Sequence, residues 1–372
     1  MTLDALQDEL RERGASALEG HTFPFIENGR ALFAYQGRAD AVTLHHWIFG
    51  LESAVPFHRA AEDLWTLVIE VQENARVEYK LGVEIAGQGR LVRDPLNDAL
   101  ARDPFGANSV VTGQDYSEPW WALENRAKRR GEVLERRFKS EVFGDVRPLS
   151  IYQPPRYRTT RRYPLLVCHD GLDYLEFAGL ATVLDNLIDR QEIPPMVVCC
   201  TQSPNRVHEY AASEDHARFV VEELLPQMES EFSLLEGPED RALMGASFGA
   251  VASLYTALQH PGAFGKLLLQ SGSFAFTDIG GHGRGPLFDP VVEFVNGYRK
   301  DPVAPADRVF LSCGRYESLI VYNRSMEPLL RRLGVDVKLV EAQDGHNWEN
   351  WRDRLRDGLT WLFPGPLWMV YE

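Results

Sequence analysis

Cysteine is scarce, long apolar runs are missing and positive charge is in deficit, and each shortage excludes something. The 372-residue chain has four cysteines. Cys168, Cys199, Cys200 and Cys313 all lie in apolar, strand-like runs, where Cys behaves as a small buried hydrophobe. No pair has zinc-ligand spacing, and adjacent Cys199 and Cys200 would point to opposite faces of a strand. No metal and no cofactor is expected, and a reducing cytoplasm is the expected compartment. No apolar run reaches the length of a membrane span. Met1 to Gly14 reads as a charged amphipathic helix (Leu3, Leu6, Leu10) without the apolar core of a signal peptide. Lys and Arg total 39 against 54 Asp and Glu, a net charge of −15. That balance argues against nucleic acid or an anionic membrane surface as partner. Internal repeats and low-complexity segments are also missing.

What is present suffices for an ordinary enzyme. The composition is 44% apolar and 11% aromatic, enough for a sizeable core and more than one domain. From about Phe23 to Val111 the pattern is short, alternating and punctuated by turns, as in Ala41 to Phe49, Trp65 to Val71 and Ala75 to Ile85. Val77, Tyr79 and Leu81 alternate with Glu78 and Lys80, the rhythm of a half-buried antiparallel strand. This predicts a β-sandwich of immunoglobulin-like size. The stretches Asp94 to Asn97 and Asp103 to Ser109 read as ordered loop. Residues 1–128 are expected to form this domain with its leading helix, and residues 129–372 a second one. The basic run Arg126 to Arg130 reads as a solvated face or linker.

In the second part apolar strands alternate with helices. The strands are Leu165 to Cys168, Met196 to Cys200, Ala242 to Met244, Lys266 to Leu269, Val309 to Ser312 and Val335 to Val340. Near-continuous apolar strands with helices between them mean a mostly parallel sheet covered on both faces, with its active site at the carboxyl ends of the strands.

Gly245-Ala246-Ser247-Phe248-Gly249 falls between one of these strands and an amphipathic helix. Gly-x-Ser-x-Gly alone is weak, since a chain of this length would contain one by chance about one time in ten. In a strand–turn–helix context it is the nucleophile elbow of an α/β-hydrolase, too tight a turn for side chains beside the Ser. A serine hydroxyl needs a base, and the base needs a carboxylate to orient it; the chain order in this fold is Ser, acid, His. His260 closes the elbow helix, and His282 lies in a Gly-rich loop that follows no strand. His346 follows the last strand and opens a helix, as the order demands. Glu317, just after the strand Val309 to Ser312, is the favoured acid; Asp344 is its competitor, and the alternative for Glu317 is an ion pair with Arg315 or Arg324. The oxyanion hole should use the amides of Phe248 and of Leu172, in the loop His169 to Tyr174. His169 and Asp170 read as structural.

Several stretches together resemble the enterochelin (ferric enterobactin) esterase family, within the esterase D-like α/β-hydrolases. They are Tyr163 to Gly171, Arg206 with Glu209, Glu223 to Pro226, the elbow, Gln270 to Phe274 and Gly345 to Arg352. In the N-terminal part the resemblance runs through Glu78-Tyr79-Lys80, Asp94 to Asn97 and Phe105 to Ser109, and it implies an immunoglobulin-like (early-set) domain. It covers nearly the whole chain and implies a serine esterase with Ser247 and His346 as nucleophile and base; Glu317 matches the acid position less securely. Two departures touch the substrate: Ala250 follows Gly249 where a second glycine is usual, and Ala275-Phe276 replaces an aromatic pair.

The expected function is therefore a serine carboxylesterase acting on a small-molecule ester, a catecholate siderophore trilactone or a related ester. Arg206, Arg315 and Trp348 are candidate substrate contacts, and Arg352 is a further candidate for an anionic ligand. The sandwich is expected to shape substrate access, with triad and oxyanion hole lying wholly in the hydrolase half. The alternatives are an acyltransferase or an aromatic-acid or carbohydrate esterase of the same fold, and a non-catalytic carbohydrate-binding protein. A homodimer is left open.

Overall fold

The computed structural model describes residues 1–365; the last residues of the expected second domain, 366–372, lie outside the described residues. The chain forms two compact units. One comprises Met1–Ser117 together with two short segments, Gly314–Ser318 and Ala342–Asn347; the other comprises the rest of the described chain.

The first unit opens with α1 (Leu3–Arg13). Ten strands follow: β1 (Phe25–Glu27), β2 (Arg30–Gln36), β3 (Ala41–His46), β4 (Ala54–Pro56), β5 (His58–Ala61), β6 (Leu64–Glu70), β7 (Arg76–Ile85), β8 (Gln88–Val92), β9 (Leu100–Asp103) and β10 (Gly106–Thr112). They make two antiparallel sheets, one ordered β1-β2-β6-β5 and the other β4-β3-β7-β10-β9, with β8 paired to β7. Ala31 and Phe33 of β2 share a core with Leu67 of β6, Leu44 of β3 and Tyr79, Leu81 and Val83 of β7. The alternate residues Leu32 and Ala34 pack instead with Leu3, Leu6 and Leu10 of α1. Period-2 alternation puts the two sets on opposite faces, so β2 is buried on both and reads as an unbroken apolar run. Thr2 starts α1 by accepting a hydrogen bond from the Ala5 N–H at 3.2 Å.

One local expectation fails here. The stretch Asp103 to Ser109, read as ordered loop, contains the end of β9 and half of β10, paired as a hairpin with Asp103 opposite Gly106. The Asp103 carboxylate accepts from the Phe105 N–H at 2.7 Å. Such an Asx turn needs turn-forming residues, and these mask the short strands on either side.

The second unit is a three-layer α/β fold. Its elements begin with β11 (Glu132–Lys139), β12 (Val146–Gln153), β13 (Leu165–Cys168), α2 (Gly171–Phe177), α3 (Leu180–Asp189), β14 (Val197–Thr201) and α4 (Arg206–Glu209). They continue with α5 (Glu214–Arg218), α6 (Leu225–Glu231), β15 (Arg241–Ala246), α7 (Phe248–Gln259), β16 (Lys266–Gln270) and α8 (Asp289–Lys300). The last are β17 (Arg308–Gly314), α9 (Ile320–Arg332), β18 (Asp336–Ala342) and α10 (Trp348–Leu362). The eight-stranded sheet runs β11-β12-β14-β13-β15-β16-β17-β18. β11 and β12 are antiparallel additions; β14, β13, β15, β16 and β17 run parallel to one another. Leu165, Val167 and Leu243 face one core, and Leu166, Cys168, Ala242 and Met244 face the other. Both faces are covered, which is why these strands read as continuous apolar segments. All four cysteines are buried and unbridged. Among the described residues no helix is long and apolar enough to cross a membrane.

β13 is followed in space by β14 on one side and β15 on the other, so strand order reverses between β13 and β15. Ligands in open α/β sheets bind outside the carboxyl ends of the strands at such a reversal. Residues 169–172 follow β13 there, and Ser247 follows β15.

Candidate active site

Ser247 sits in a backbone conformation that L-residues rarely adopt, with φ 58° and ψ −118°. That conformation turns β15 abruptly into α7 and puts the hydroxyl at the apex. A Cβ on Gly245 would lie 2.4 Å from the Gly249 carbonyl carbon, and one on Gly249 would lie 3.2 Å from Cβ of His169. The first is impossible and the second tight, so the two glycines have different steric causes. The Ser247 N–H donates to the Gln270 carbonyl at 2.9 Å. Its Oγ lies 3.1 Å from Oγ of Ser273, another buried serine.

Phe248 is the first residue of α7 and Leu172 the second of α2. Amides in the first turn of a helix have no intrahelical acceptor, and the helix dipole favours negative charge beside them. The segment after β13, expected as a loop, is thus a two-residue turn, His169-Asp170, into a helix. Asp170 makes it with φ 53°, and a Cβ on Gly171 would meet Cα of Cys200 at 2.4 Å.

Arg206 has intramolecular partners. Its Nε donates to Asp170 Oδ2 at 2.7 Å, and Nη2 donates to the Ala246 carbonyl at 3.3 Å. It therefore bridges the residue before Gly171-Leu172 and the residue before Ser247. Burial pushes the Asp170 carboxyl up to about 6 against the opposing pull of Arg206. Glu209, three residues on, takes a bidentate grip on buried Arg147 at 2.6 and 3.0 Å. Both members of the Arg206/Glu209 motif thus brace the framework.

The remaining chemistry lies on the segments 314–318 and 342–347. Glu317 is buried, with its Oε1 accepting from the Gly314 N–H at 2.7 Å and its Oε2 2.6 Å from Nδ1 of His346. The imidazole is 38% exposed while the carboxylate is 3% exposed. A carboxylate held on one oxygen by backbone and on the other by Nδ1 fixes the ring and favours the tautomer with Nε2 free to accept a proton. Asp344 is used differently. Its Oδ1 accepts from Gly345 N–H and from Asn347 Nδ2, both at 2.7 Å, and from Arg76 Nη1 at 3.5 Å. Arg324, a candidate ion-pair partner for Glu317, makes a bidentate pair with Glu341 at 2.6 and 2.7 Å.

A family model described as "Putative esterase" matches residues 140–362. The chain belongs to this esterase family. It is 28% identical over 282 residues to the iron(III) enterobactin esterase of Escherichia coli O6:H1, covering 73% of this chain and 67% of that relative. It is 27% identical over 286 residues to the iron(III) enterobactin esterase of Dickeya dadantii, covering 74% and 65%. The chain thus spans about two thirds of the length of these curated relatives. The crystal structure of the Shigella flexneri enterobactin esterase in the presence of enterobactin superposes with a TM-score of 0.74 at 21% identity, covering 92% of this chain and 94% of that one. That similarity establishes a shared fold across both units. The chain is enterochelin-esterase-like, and the chemistry of its family is carboxylic ester hydrolysis.

The sequence-predicted residues therefore distribute as follows. Ser247, Phe248, Leu172 and Arg206 belong to the second unit, and Glu317, His346 and exposed Arg315 to segments grouped with the N-terminal strands. Glu317 and His346, expected in the hydrolase half, are thus grouped by contacts with Met1–Ser117. Trp348 also departs from its expected role: it is 8% exposed and packs against Tyr174, Phe177 and Trp351 with ring centroids 5.2, 5.9 and 4.7 Å away. This aromatic at the start of α10 fills the core. Arg352 donates to Glu118 and Asp353 at 2.7 and 2.9 Å. Arg76 was missed, because an Arg opening an alternating strand looks solvent-facing.

Proposed function

We propose that this chain is a serine esterase in which Ser247 is the nucleophile, His346 the base and Glu317 the acid. The observation that carries the reading is the 2.6 Å pairing of a buried carboxylate with Nδ1 of the one histidine that follows the last strand, in a chain whose elbow serine is backbone-strained. Ser247 Oγ attacks the ester carbonyl as its proton passes to Nε2 of His346. The amides of Phe248 and Leu172 hold the oxyanion, and the imidazolium returns its proton to the departing alcohol. Water, deprotonated by the same imidazole, then attacks the acyl-enzyme and frees the acid and the serine.

The substrate proposed is a carboxylic ester of a molecule bearing an aromatic ring, with a catecholate trilactone as the first choice because two relatives are named iron(III) enterobactin esterases. A 25% identical stretch of 252 residues in a Xylanibacter ruminicola endo-1,4-beta-xylanase/feruloyl esterase favours feruloyl esters as the second. Arg206 retains partial exposure and Arg315 is exposed, and both are proposed as contacts to an anionic ligand. The early-set immunoglobulin-like assignment of residues 1–128, the catalytic domain at 129–372 and a cytoplasmic location belong to the same reading.

The test is hydrolysis of p-nitrophenyl acetate, a feruloyl ester and a catecholate trilactone with and without iron, by wild type and Ser247→Ala. Ser247→Ala should lose at least about 10³-fold in kcat on every ester hydrolysed. Retention of activity within tenfold of wild type would sink the serine-esterase reading.

A further inference from the structure

We propose that Arg76, at the start of β7, is a positioning residue that clamps the chain on both sides of His346. The proposal rests on the reading of His346 as the base.

The observations are all within the first unit. Arg76 is 3% exposed, and a buried guanidinium persists only where its charge and donors are matched. Its backbone N–H donates to the Gln343 carbonyl at 2.9 Å. Its Nη1 lies 3.1 Å from Asn347 Oδ1, 3.5 Å from Asp344 Oδ1 and 3.2 Å from Glu78 Oε1. Residues 343 and 344 precede the base and residue 347 follows it, so one arginine holds the segment from either side. Asn347 Nδ2 closes the ring by donating to Asp344 at 2.7 Å.

The same lattice reaches the acid. Tyr316 N–H donates to the Asp344 carbonyl at 3.1 Å, and Arg315 N–H donates to the Ala342 carbonyl at 2.8 Å. Tyr316 in turn accepts from Phe49 N–H at 2.7 Å through its carbonyl, and its ring packs on the core that holds Phe33 and Tyr79. Glu317 is the next residue. Both partners of the 2.6 Å carboxylate–imidazole bond are thus one or two residues from a fastening point, on β7 for His346 and on the β3–β4 connection for Glu317.

The electrostatics agree with a clamp. Burial drives the Asp344 carboxyl up to about 6, while Arg76, Asn347 Nδ2 and the Gly345 N–H pull it down and Glu78 pushes it up. Arg76 is the cation facing that carboxylate. Without it the buried carboxylate must protonate or move toward water, and either change disturbs the residue two places before His346.

The test uses the full chain. Arg76→Gln should lower kcat on p-nitrophenyl acetate by about tenfold to about 10²-fold, the cost of displacing a catalytic group by about 1 Å, with KM within about twofold. Arg76→Lys should recover part of the loss, since an ammonium restores charge but not the fork that spans two acceptors. A readout independent of turnover is the downfield proton NMR signal of the His346 Nδ1–H, assigned by its loss in His346→Gln. It should persist in Ser247→Ala and shift or broaden in Arg76→Gln.

A folded Arg76→Gln with wild-type kcat and an unshifted Nδ1 proton would overturn the clamp, as would a change in KM alone. Should Arg76→Gln not fold, Asp344→Asn carries the test. It keeps an acceptor at reduced attraction and should show the kcat-only loss at smaller amplitude, with wild-type behaviour again overturning the proposal. If Ser247→Ala stays active, the esterase reading itself fails. If Ser247→Ala is inactive and the Arg76 variants behave as wild type, only the clamp fails.

Discussion

Replacing Glu317 by Gln is the sharpest way to ask which carboxylate orients the base. Its Oε1 accepts from Gly314 N–H and its Oε2 meets His346 Nδ1. Gln can keep the first bond by aiming its carbonyl oxygen at Gly314. Its amide nitrogen then faces Nδ1 and can only donate. The imidazole is forced into the tautomer that carries its proton on Nε2, where no proton can be accepted from Ser247. In a serine protease triad the equivalent acid-to-amide change costs about 10⁴-fold in kcat through this tautomer switch. At 1.36 kcal/mol per tenfold, that corresponds to about 5 kcal/mol of lost transition-state stabilisation. Asp344→Asn meets different geometry. That side chain serves Gly345, Asn347 and Arg76, so its loss in kcat should stay under about tenfold. Initial rates on p-nitrophenyl acetate, fitted for kcat and KM from pH 5 to 9, separate the two, since the tautomer defect is not repaired by raising pH. A larger loss for Asp344→Asn than for Glu317→Gln would refute the assignment. Small, equal losses would mean that His346 works without an orienting acid.

Two further outcomes follow from steric and electrostatic detail. Gly245→Ala should be far more damaging than Gly249→Ala, because its Cβ would fall 2.4 Å from backbone while the other meets a side-chain carbon at 3.2 Å. Thermal melts should show the first destabilised by at least about 1–3 kcal/mol, and equal Tm values would contradict the elbow geometry. Asp344, raised from 3.8 to about 6, binds its proton more tightly in the folded chain than in the unfolded one. Its contribution therefore favours the fold at acid pH and is lost as pH rises from about 4 to 6. The Tm of wild type minus that of Asp344→Asn should fall across that window and then level off; a difference that grows with pH would reverse the sign argued here.

Much of the second unit was legible because a sheet buried on both faces leaves strands with no polar alternation. Leu165 to Cys168 coincides with its strand, and the elbow announced itself through two glycines with distinct steric causes. Less of the first unit could be read. β2 conceals its period because α1 covers its outer face, and the hairpin around Phe105 hides behind turn residues. The acid stayed open between Glu317 and Asp344, since both follow strands and only side-chain geometry assigns one to Nδ1 and the other to Arg76. Arg76 itself carries no local signal. β7 buries Arg76 and leaves Val77 half exposed, the reverse of what hydrophobicity dictates, and the cause lies 268 residues away at Asp344.

That separation has a consequence for biogenesis. The first compact unit is built from three pieces of chain, and the last of them ends at Asn347. Strands β1 to β10 can pair as soon as they leave the ribosome, yet the Arg76 guanidinium must wait about 270 residues for its carboxylate and amide partners. At about 5–20 residues per second, Arg76 spends roughly 15 to 50 seconds with Glu78 beside it and its Asp344 and Asn347 contacts still to be made. An arginine kept waiting in this way makes the seating of His346 a late event: the serine elbow is synthesised about 100 residues earlier and can fold first.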